Sequence, residues 1–484
     1  MWHKQTLFDY VYDSLKEQIL TKRFNNGEKL PSVSQMMEIY HVGKRTAKNV
    51  IHRLKTEGYI IGEERKGLYV VYQGEEDEHL MILLNDQKSS IIQAYQTLAI
   101  VLPLFLSFSL TQYKRRELSE LAKRYSSNLW IKQRNPKRLY QSCIHEIFNH
   151  SNNPLYYDFI CHIAVYAKLS FLNQENRIGH LLFNHPQKEK DWFFHTLLLD
   201  NQNELIERFS ALLNEQTLLV EKMLSETIKT TQHNALHENL NPFYWNIHYG
   251  QDHFYMQIVH DIIDKISLKE YPLNGFLPSE KKLAEYYQVG LSTVRSALSL
   301  LNKLGYAETI NGQGTRIMLQ DEVTAQKCMN NRWIRKNTIL YLNALQCMII
   351  ILPPACRMSF DFIEDSTKTD LIKRSLKQNH IFIDDLYQCL IDHISLQPYQ
   401  EILIQLREIC RYGYYYSFFK NGIEDEKVVA DKSKKVLQFL LDGEKEAFTR
   451  EFTSCFQYIL EFVREHIIDY GLLEARKVKI PMMK

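Results

Sequence analysis

Segments of this 484-residue chain return at a fixed spacing of 247 positions. Leu30-Pro31-Ser32 recurs as Leu277-Pro278-Ser279, Gly58-Tyr59 as Gly305-Tyr306, Gly67 as Gly314, and Leu139-Tyr140-Gln141 as Leu386-Tyr387-Gln388. A constant offset between matching segments means two copies of one structural plan. The run around Pro103 (YQTLAIVLPL) resembles that around Pro353 (LQCMIIILPP) at an offset of 250, as small loop insertions would produce. The duplication covers nearly the whole chain, so whatever the first half builds, the second builds again. Domains usually hold about 100 to 150 residues, so each copy has room for more than one.

Each copy opens with a short helical module. Phe8, Val11, Leu15 and Ile19 repeat every three or four residues, as do Phe254, Ile258, Ile262 and Ile266, which marks one face of a helix. Gly27 and Gly275, each followed shortly by Leu-Pro, stop that helix and open the next. Ser32 fits an N-cap with Gln35 as its capping-box partner, and Ser279 is the equivalent cap. Third helices are predicted from Thr46 to Glu57, with Val50, Ile51 and Leu54 inward, and from Thr293 to Lys303, with Val294, Leu298 and Leu301 inward. Gly58 and Gly305 end them. Tyr59-Ile60-Ile61 with Leu68 to Val71, and Tyr306-Ala307 with Thr315 to Ile317, flank polar glycine turns and read as β-hairpins.

A long helical region follows each module, with spacings such as Leu437, Leu440, Leu441 and Phe448. The acidic runs Gly74 to Glu78 and Gln320 to Glu322 are expected to be solvated hinges. The expected fold class is therefore mainly α: two three-helix modules with β-hairpin wings alternate with two helical bundles. Boundaries fall at 1–74, 80–245, 248–320 and 325–484.

Composition narrows the functional classes. The chain is 45% hydrophobic and 24% charged, which is ordinary for a soluble globular protein. A formal charge of +2 exerts no overall pull on nucleic acid, so any basic surface must be local. The eight cysteines are scattered singly without a C-x-x-C pair, the usage of a reducing, cytoplasmic compartment. The N-terminal residues carry charges and lack a signal-peptide core. The most membrane-like stretch, Leu98 to Leu110, is shorter than the roughly 20 residues of a spanning helix and contains Pro103, so a buried, kinked helix is expected and no membrane partner.

The segment LPSEKKLAEYYQVGLSTVRSALSLLNKLGYAETINGQGT resembles the GntR family of bacterial regulators almost throughout, and LPSVSQMMEIYHVGKRTAKNVIHRLKTEGYIIGEERKGL keeps the same frame with looser identities. The resemblance implies tandem winged helix-turn-helix modules, whose third helices enter the major groove of double-stranded operator DNA, and a transcription regulator, either a repressor or an activator. In the first copy that helix offers Lys44, Arg45, Thr46 and Lys48, with Arg53 one turn further along, a local cationic footprint. In the second copy Lys281, Ser292, Thr293 and Arg295 are the candidates, and Leu291 stands where the family usually has arginine. The wings add Arg65, Lys66 and Gly67 in the first copy and Gln313, Gly314 and Arg316 in the second. Residues 1–73 carry 12 basic and 8 acidic side chains; residues 252–318 carry 7 of each. The two readers are unequal.

The helical regions are expected to sense a small molecule, as the family's partner domains do. LYQSCIHEIFNHSNNPLYYDF and LYQCLIDHISLQPYQEILIQL faintly resemble the FCD-type effector domain. The metal-binding histidine of that domain falls on Gln141 and Gln388, and its aspartate on Lys137 and Asp384, so the resemblance carries no complete metal set. Asp158 and His162 stand four apart, with His145, His150 and His195 elsewhere, but a metal needs three or four convergent ligands; no cofactor is expected. Tyr412, Tyr415 and Tyr416 belong to an aromatic run that could line an apolar ligand cavity, with core packing as the alternative. No G-x-x-x-x-G-K-[ST], H-E-x-x-H or G-x-S-x-G motif occurs, so an enzyme is not expected. Three readings stay open for the helical regions: effector sensing, self-association into a homo-oligomer, and docking of a protein partner to a DNA-tethered scaffold.

Overall fold

The computed structural model describes residues 26–39, 42–63, 67–72, 88–126, 136–166, 186–230, 254–267, 270–318, 332–376, 382–410 and 422–482, together with residues 8, 11, 12, 15, 16, 19 and 24. The chain forms two compact units. One comprises Met1–Ser151, Tyr156–Gln251 and Leu396–Glu401; the other comprises Asn152–Leu155, Asp252–Ser395 and Ile402–Lys484.

Each unit contains one small module, and the two modules keep the 247-residue offset element by element. The third helix spans Lys44–Thr56 in the first and Leu291–Lys303 in the second. Strands β1 (Ile60–Glu63) and β2 (Gly67–Val70) pair antiparallel, as do β3 (Ala307–Ile310) and β4 (Gly314–Ile317). Even the isolated bridges correspond, Lys29 with Tyr69 and Phe276 with Arg316. The third helices begin at Lys44 and Leu291, because Gly43 and Gly290 adopt extended conformations that place the following residue at the first helical position. The second helices are capped as the sequence implies: Gln35 N–H donates to Ser32 Oγ and Ser32 N–H to Gln35 Oε1, while Lys282 N–H donates to Ser279 Oγ.

The core of the first module joins Val11, Leu15, Leu30, Met36, Val50, Leu54, Ile60 and Val70; that of the second joins Ile258, Ile262, Leu277, Leu283, Val294, Leu301 and Ile317. The first- and third-helix members of these cores are the apolar faces predicted from helical periodicity, and Leu30, Met36, Leu277 and Leu283 join them from the second helices and the loops before them. Gly58 turns the chain from helix into wing with φ +78°, and Gly305 does so with φ +76°. A β-carbon on Gly58 would meet no atom within 4 Å, so only the left-handed backbone resists substitution. Gly58→Ala is therefore expected to destabilise the first module by about 1 kcal/mol, measured by chemical denaturation of the full chain, with the second module unaffected. An unchanged midpoint would mean that the backbone relaxes there.

In the first unit Lys88–Leu110 packs along Gln202–Thr230. This apolar helix is 23 residues long, longer than the stretch from Leu98 that hydropathy singles out, because Lys88 to Thr97 continue it with mixed polarity. Pro103 lies inside it and has no N–H to give to the carbonyl four residues earlier. That carbonyl, on Ala99, instead accepts from Ser210 Oγ at 3.0 Å, so the long partner helix supplies the missing donor. Lys88 Nζ reaches Ser225 Oγ at 2.9 Å further along the same pair.

In the second unit Arg332–Ser359 packs on Lys445–Asp469, which also packs on Gly422–Leu441. Arg357 donates twice to the Glu446 carboxylate, each at 2.9 Å. Phe448, Phe452 and Phe456 form a buried ladder of rings. The predicted stripe through Leu437, Leu440, Leu441 and Phe448 is broken. Leu437 and Leu440 are buried, but Leu441 is 40% exposed at a helix end, and Gly443 turns the chain before Phe448 begins to contribute from the next helix. Lys88–Leu110 and Ile334–Phe362 are long and apolar enough to cross a membrane, yet 61% and 72% of their apolar windows are buried within the protein, as in core helices.

Candidate nucleic-acid interface

The third helix of each module is fixed by its buried face. Ala47, Val50, Ile51 and Leu54 anchor the first, and Val294, Ala297, Leu298 and Leu301 the second. With those positions committed inward, Lys44, Arg45 and Lys48 are exposed on the first helix and Leu291, Ser292 and Arg295 on the second, while Thr46 and Thr293 are half-buried. The backbone that presents them is the same in both. Gly43 has φ −70° and ψ 153°, and Gly290 has φ −69° and ψ 152°. Neither helix has an acidic residue in its first turn, which leaves the N-terminal ends positive.

Arg53 behaves differently from the other candidates. Its Nε donates to Glu57 Oε1 at 2.9 Å, and its guanidinium lies 3.9 Å from the centre of the Tyr12 ring and 5.7 Å from that of Phe8. Tyr12 donates its hydroxyl to Glu57, and Lys16 Nζ stands 3.8 Å from the same carboxylate. The Tyr12 hydroxyl and the Arg53 guanidinium hold the Glu57 carboxyl below its ordinary range. Arg53 thus ties the third helix to the first.

The second module neutralises its arginines. Arg295 Nε donates to Glu280 Oε2 at 2.8 Å, and Arg316 donates to Glu308 Oε2 at 2.8 Å. At the positions of these carboxylates the first module has Val33 and Ile61. Local spacing could not reveal the first pair, because its members lie 15 residues apart on different helices. Lys281 is exposed on the preceding helix.

The wings differ in a corresponding way. Arg65 and Lys66 lie outside the described residues; Gly67 has φ +124° and Gly314 has φ +118°, which requires glycine at the start of the returning strand. Gln313 and Gly314 are exposed. Beside Gly67 lies the Lys29 side chain, whose Cε would be 2.6 Å from an added β-carbon; beside Gly314 the equivalent neighbour is the Phe276 ring, at 3.6 Å. Phe276 is itself 49% exposed. The second module has therefore replaced two cations, Lys29 and Lys44, with the apolar residues Phe276 and Leu291.

The helical candidates are dispersed. Gln388 donates to Asp392 Oδ1 at 2.6 Å and accepts from Arg407, which also stands 3.8 Å from Asp384. Gln388 is thus held in a polar surface cluster. Gln141 sits on the helix Pro136–His150, and its side chain, like Tyr412, Tyr415 and Tyr416, lies outside the described residues. His162 Nδ1 donates to the Asp158 backbone carbonyl at 2.7 Å, and burial pushes its pKa down to about 4, so the ring is neutral near pH 7. Among the described residues no group of three or more His, Cys, Asp and Glu side chains is placed to hold a metal.

Three helices, a two-stranded wing and an exposed third-helix N-terminus define a winged helix-turn-helix module, present twice. The family model for bacterial regulatory proteins of the gntR family matches residues 7–70 and 254–317, one match in each copy. An uncharacterized HTH-type transcriptional regulator of Bacillus subtilis (strain 168), YdfD, is 42% identical over 64 residues. That match spans 13% of this chain and 13% of the relative. Among solved structures, a Streptococcus agalactiae GntR aligns at 15% identity over 43% of this chain and 99% of its own, with a TM-score of 0.20. A second, described as Lar, which controls the expression of the Listeria monocytogenes agr system, aligns at 17% identity over 44% of this chain and 98% of its own, with a TM-score of 0.19.

Proposed function

We propose that this chain is a cytoplasmic, sequence-specific DNA-binding transcription regulator in which one polypeptide supplies both of the readers that a homodimer would ordinarily supply. The observation that carries this reading is the pair of gntR-family modules with matching backbones and unlike exposed helix surfaces. Two unlike readers have no common preferred half-site, so the operator is asymmetric. Lys44, Arg45 and Lys48 donate to base edges and phosphates in one half-site; Ser292, Thr293 and Arg295 act in the other, with Lys281 and the wings steadying each module on the backbone. Six described cysteines are free, which supports a reducing compartment.

The chain divides into four domains in this reading, two readers and two helical regions, and the helical regions sense a small molecule that alters operator affinity. The family resemblance supports this role. Binding-site selection with the full chain tests the readers: an asymmetric consensus is expected, and a perfect palindrome overturns the single-chain pair. Thermal-shift screening against metabolites tests sensing, with a stabilising compound that also shifts operator affinity as the expected result. Silence across metabolites together with a stable co-purifying protein would assign the helical regions to partner docking.

A further inference from the structure

We infer that Leu291 is a specificity-determining residue that reads a thymine C5-methyl group in the half-site of the second module; this rests on the DNA-binding reading above. Leu291 is the first residue of its third helix and is 43% exposed. Its counterpart 247 positions earlier, Lys44, leaves from a backbone with the same preceding glycine geometry, so the two side chains occupy equivalent places on their modules. Lys44 carries a donor suited to guanine O6 or N7. Leu291 has no donor at all, and the one distinctive apolar group in the major groove is the thymine methyl.

The surroundings of Leu291 favour that assignment. Gly290 before it and Ser292 after it are small and exposed, so neither shields the isobutyl group. Arg295 stands four residues on, one turn along the same side of the helix. Its Nε is held by Glu280 at 2.8 Å, which directs the guanidinium toward the second helix and leaves Leu291 as the leading group at the helix tip. In the first module the corresponding position four residues after Lys44 is Lys48, and Val33 replaces the carboxylate, so both cations there are presented without such restraint. The two half-sites should therefore differ at one defined place, with guanine opposite Lys44 and thymine opposite Leu291.

The test uses the full chain and the operator recovered by selection. Each thymine of the second half-site is replaced in turn by deoxyuridine, which removes only the methyl. One replacement is expected to weaken binding about three- to five-fold, the size of one buried methyl group, whereas the position facing Lys44, occupied by guanine, has no methyl to remove. With Leu291→Ala, the difference between thymine and deoxyuridine at that position should vanish, and Leu291→Lys should shift the selected base from thymine toward guanine. The DNA substitution requires no altered protein, so a variant that folds poorly does not blunt the result. Equal affinity for thymine and deoxyuridine throughout overturns the inference, as does a methyl effect that survives in Leu291→Ala. If selection enriches no sequence at all, the DNA-binding reading itself falls, and the inference with it.

Discussion

Replacing Lys44, Arg45 and Lys48 together with alanine is expected to reduce operator affinity by about 100- to 1,000-fold at fixed salt, whereas Arg295→Ala alone should cost about ten-fold or less. Bidentate base contacts contribute roughly 1 to 3 kcal/mol each, so losing three exposed cations removes several kcal/mol even if one of them contacts only phosphate. Arg295 starts from a weaker position. It is already paired with Glu280 across an exposed surface, and engaging DNA means exchanging that partner for a base or phosphate. Exposed ion pairs are typically worth about 0.2 to 1 kcal/mol, which discounts the net gain without abolishing it. The salt dependence should separate the two variants as well, since each lost phosphate contact lowers the slope of log K against log salt by about 0.9. Gel shifts over a salt series would measure both quantities. Equal losses for the two variants would show that the unequal cation settings have no bearing on binding.

The fold of the modules was legible in the sequence because several local signals agreed. Helical periodicity placed Val50, Leu54, Val294 and Leu301 in the cores, serines marked second-helix caps, and Gly58 and Gly305 sat where a positive φ was required. The repeat then allowed each copy to check the other. What sequence could not supply were the contacts between distant residues. The Arg295–Glu280 and Arg316–Glu308 pairs depend on how helices and strands face one another, and the withdrawal of Arg53 toward Tyr12 depends on the docking of the first helix. The cation count grouped Arg53 with Lys44, Arg45 and Lys48, and only the packed structure brings its guanidinium to Glu57 and the Tyr12 ring. In the helical regions the limits were different. The spacing from Leu437 to Phe448 ran across a turn, since periodicity alone does not mark where one helix ends, and the polar residues before Leu98 masked the start of the long apolar helix.

The agreement of the two backbones leads to the second large expected effect: specificity should be transferable by changing only the exposed surface. The combination Leu291→Lys, Ser292→Arg and Arg295→Lys gives the second helix the cations of the first, and Glu280→Val removes the carboxylate that would otherwise capture the new lysine, since Val33 occupies that place in the first module. Val294 must stay. It is fully buried, and shrinking it to match Ala47 would open a cavity costing on the order of 1 to 3 kcal/mol in the module core. With the core retained, the matching helix entries at Gly43 and Gly290 should present the same donors in both modules. Binding-site selection should then change from an asymmetric consensus to two copies of the first half-site, with affinity for that symmetrised site at least about ten-fold above that of the unmodified chain, the gain of one good bidentate contact. Retaining Glu280 should give a smaller gain, because the carboxylate competes with DNA for the introduced lysine. A folded variant that still selects the original asymmetric site would show that specificity resides outside the third helices.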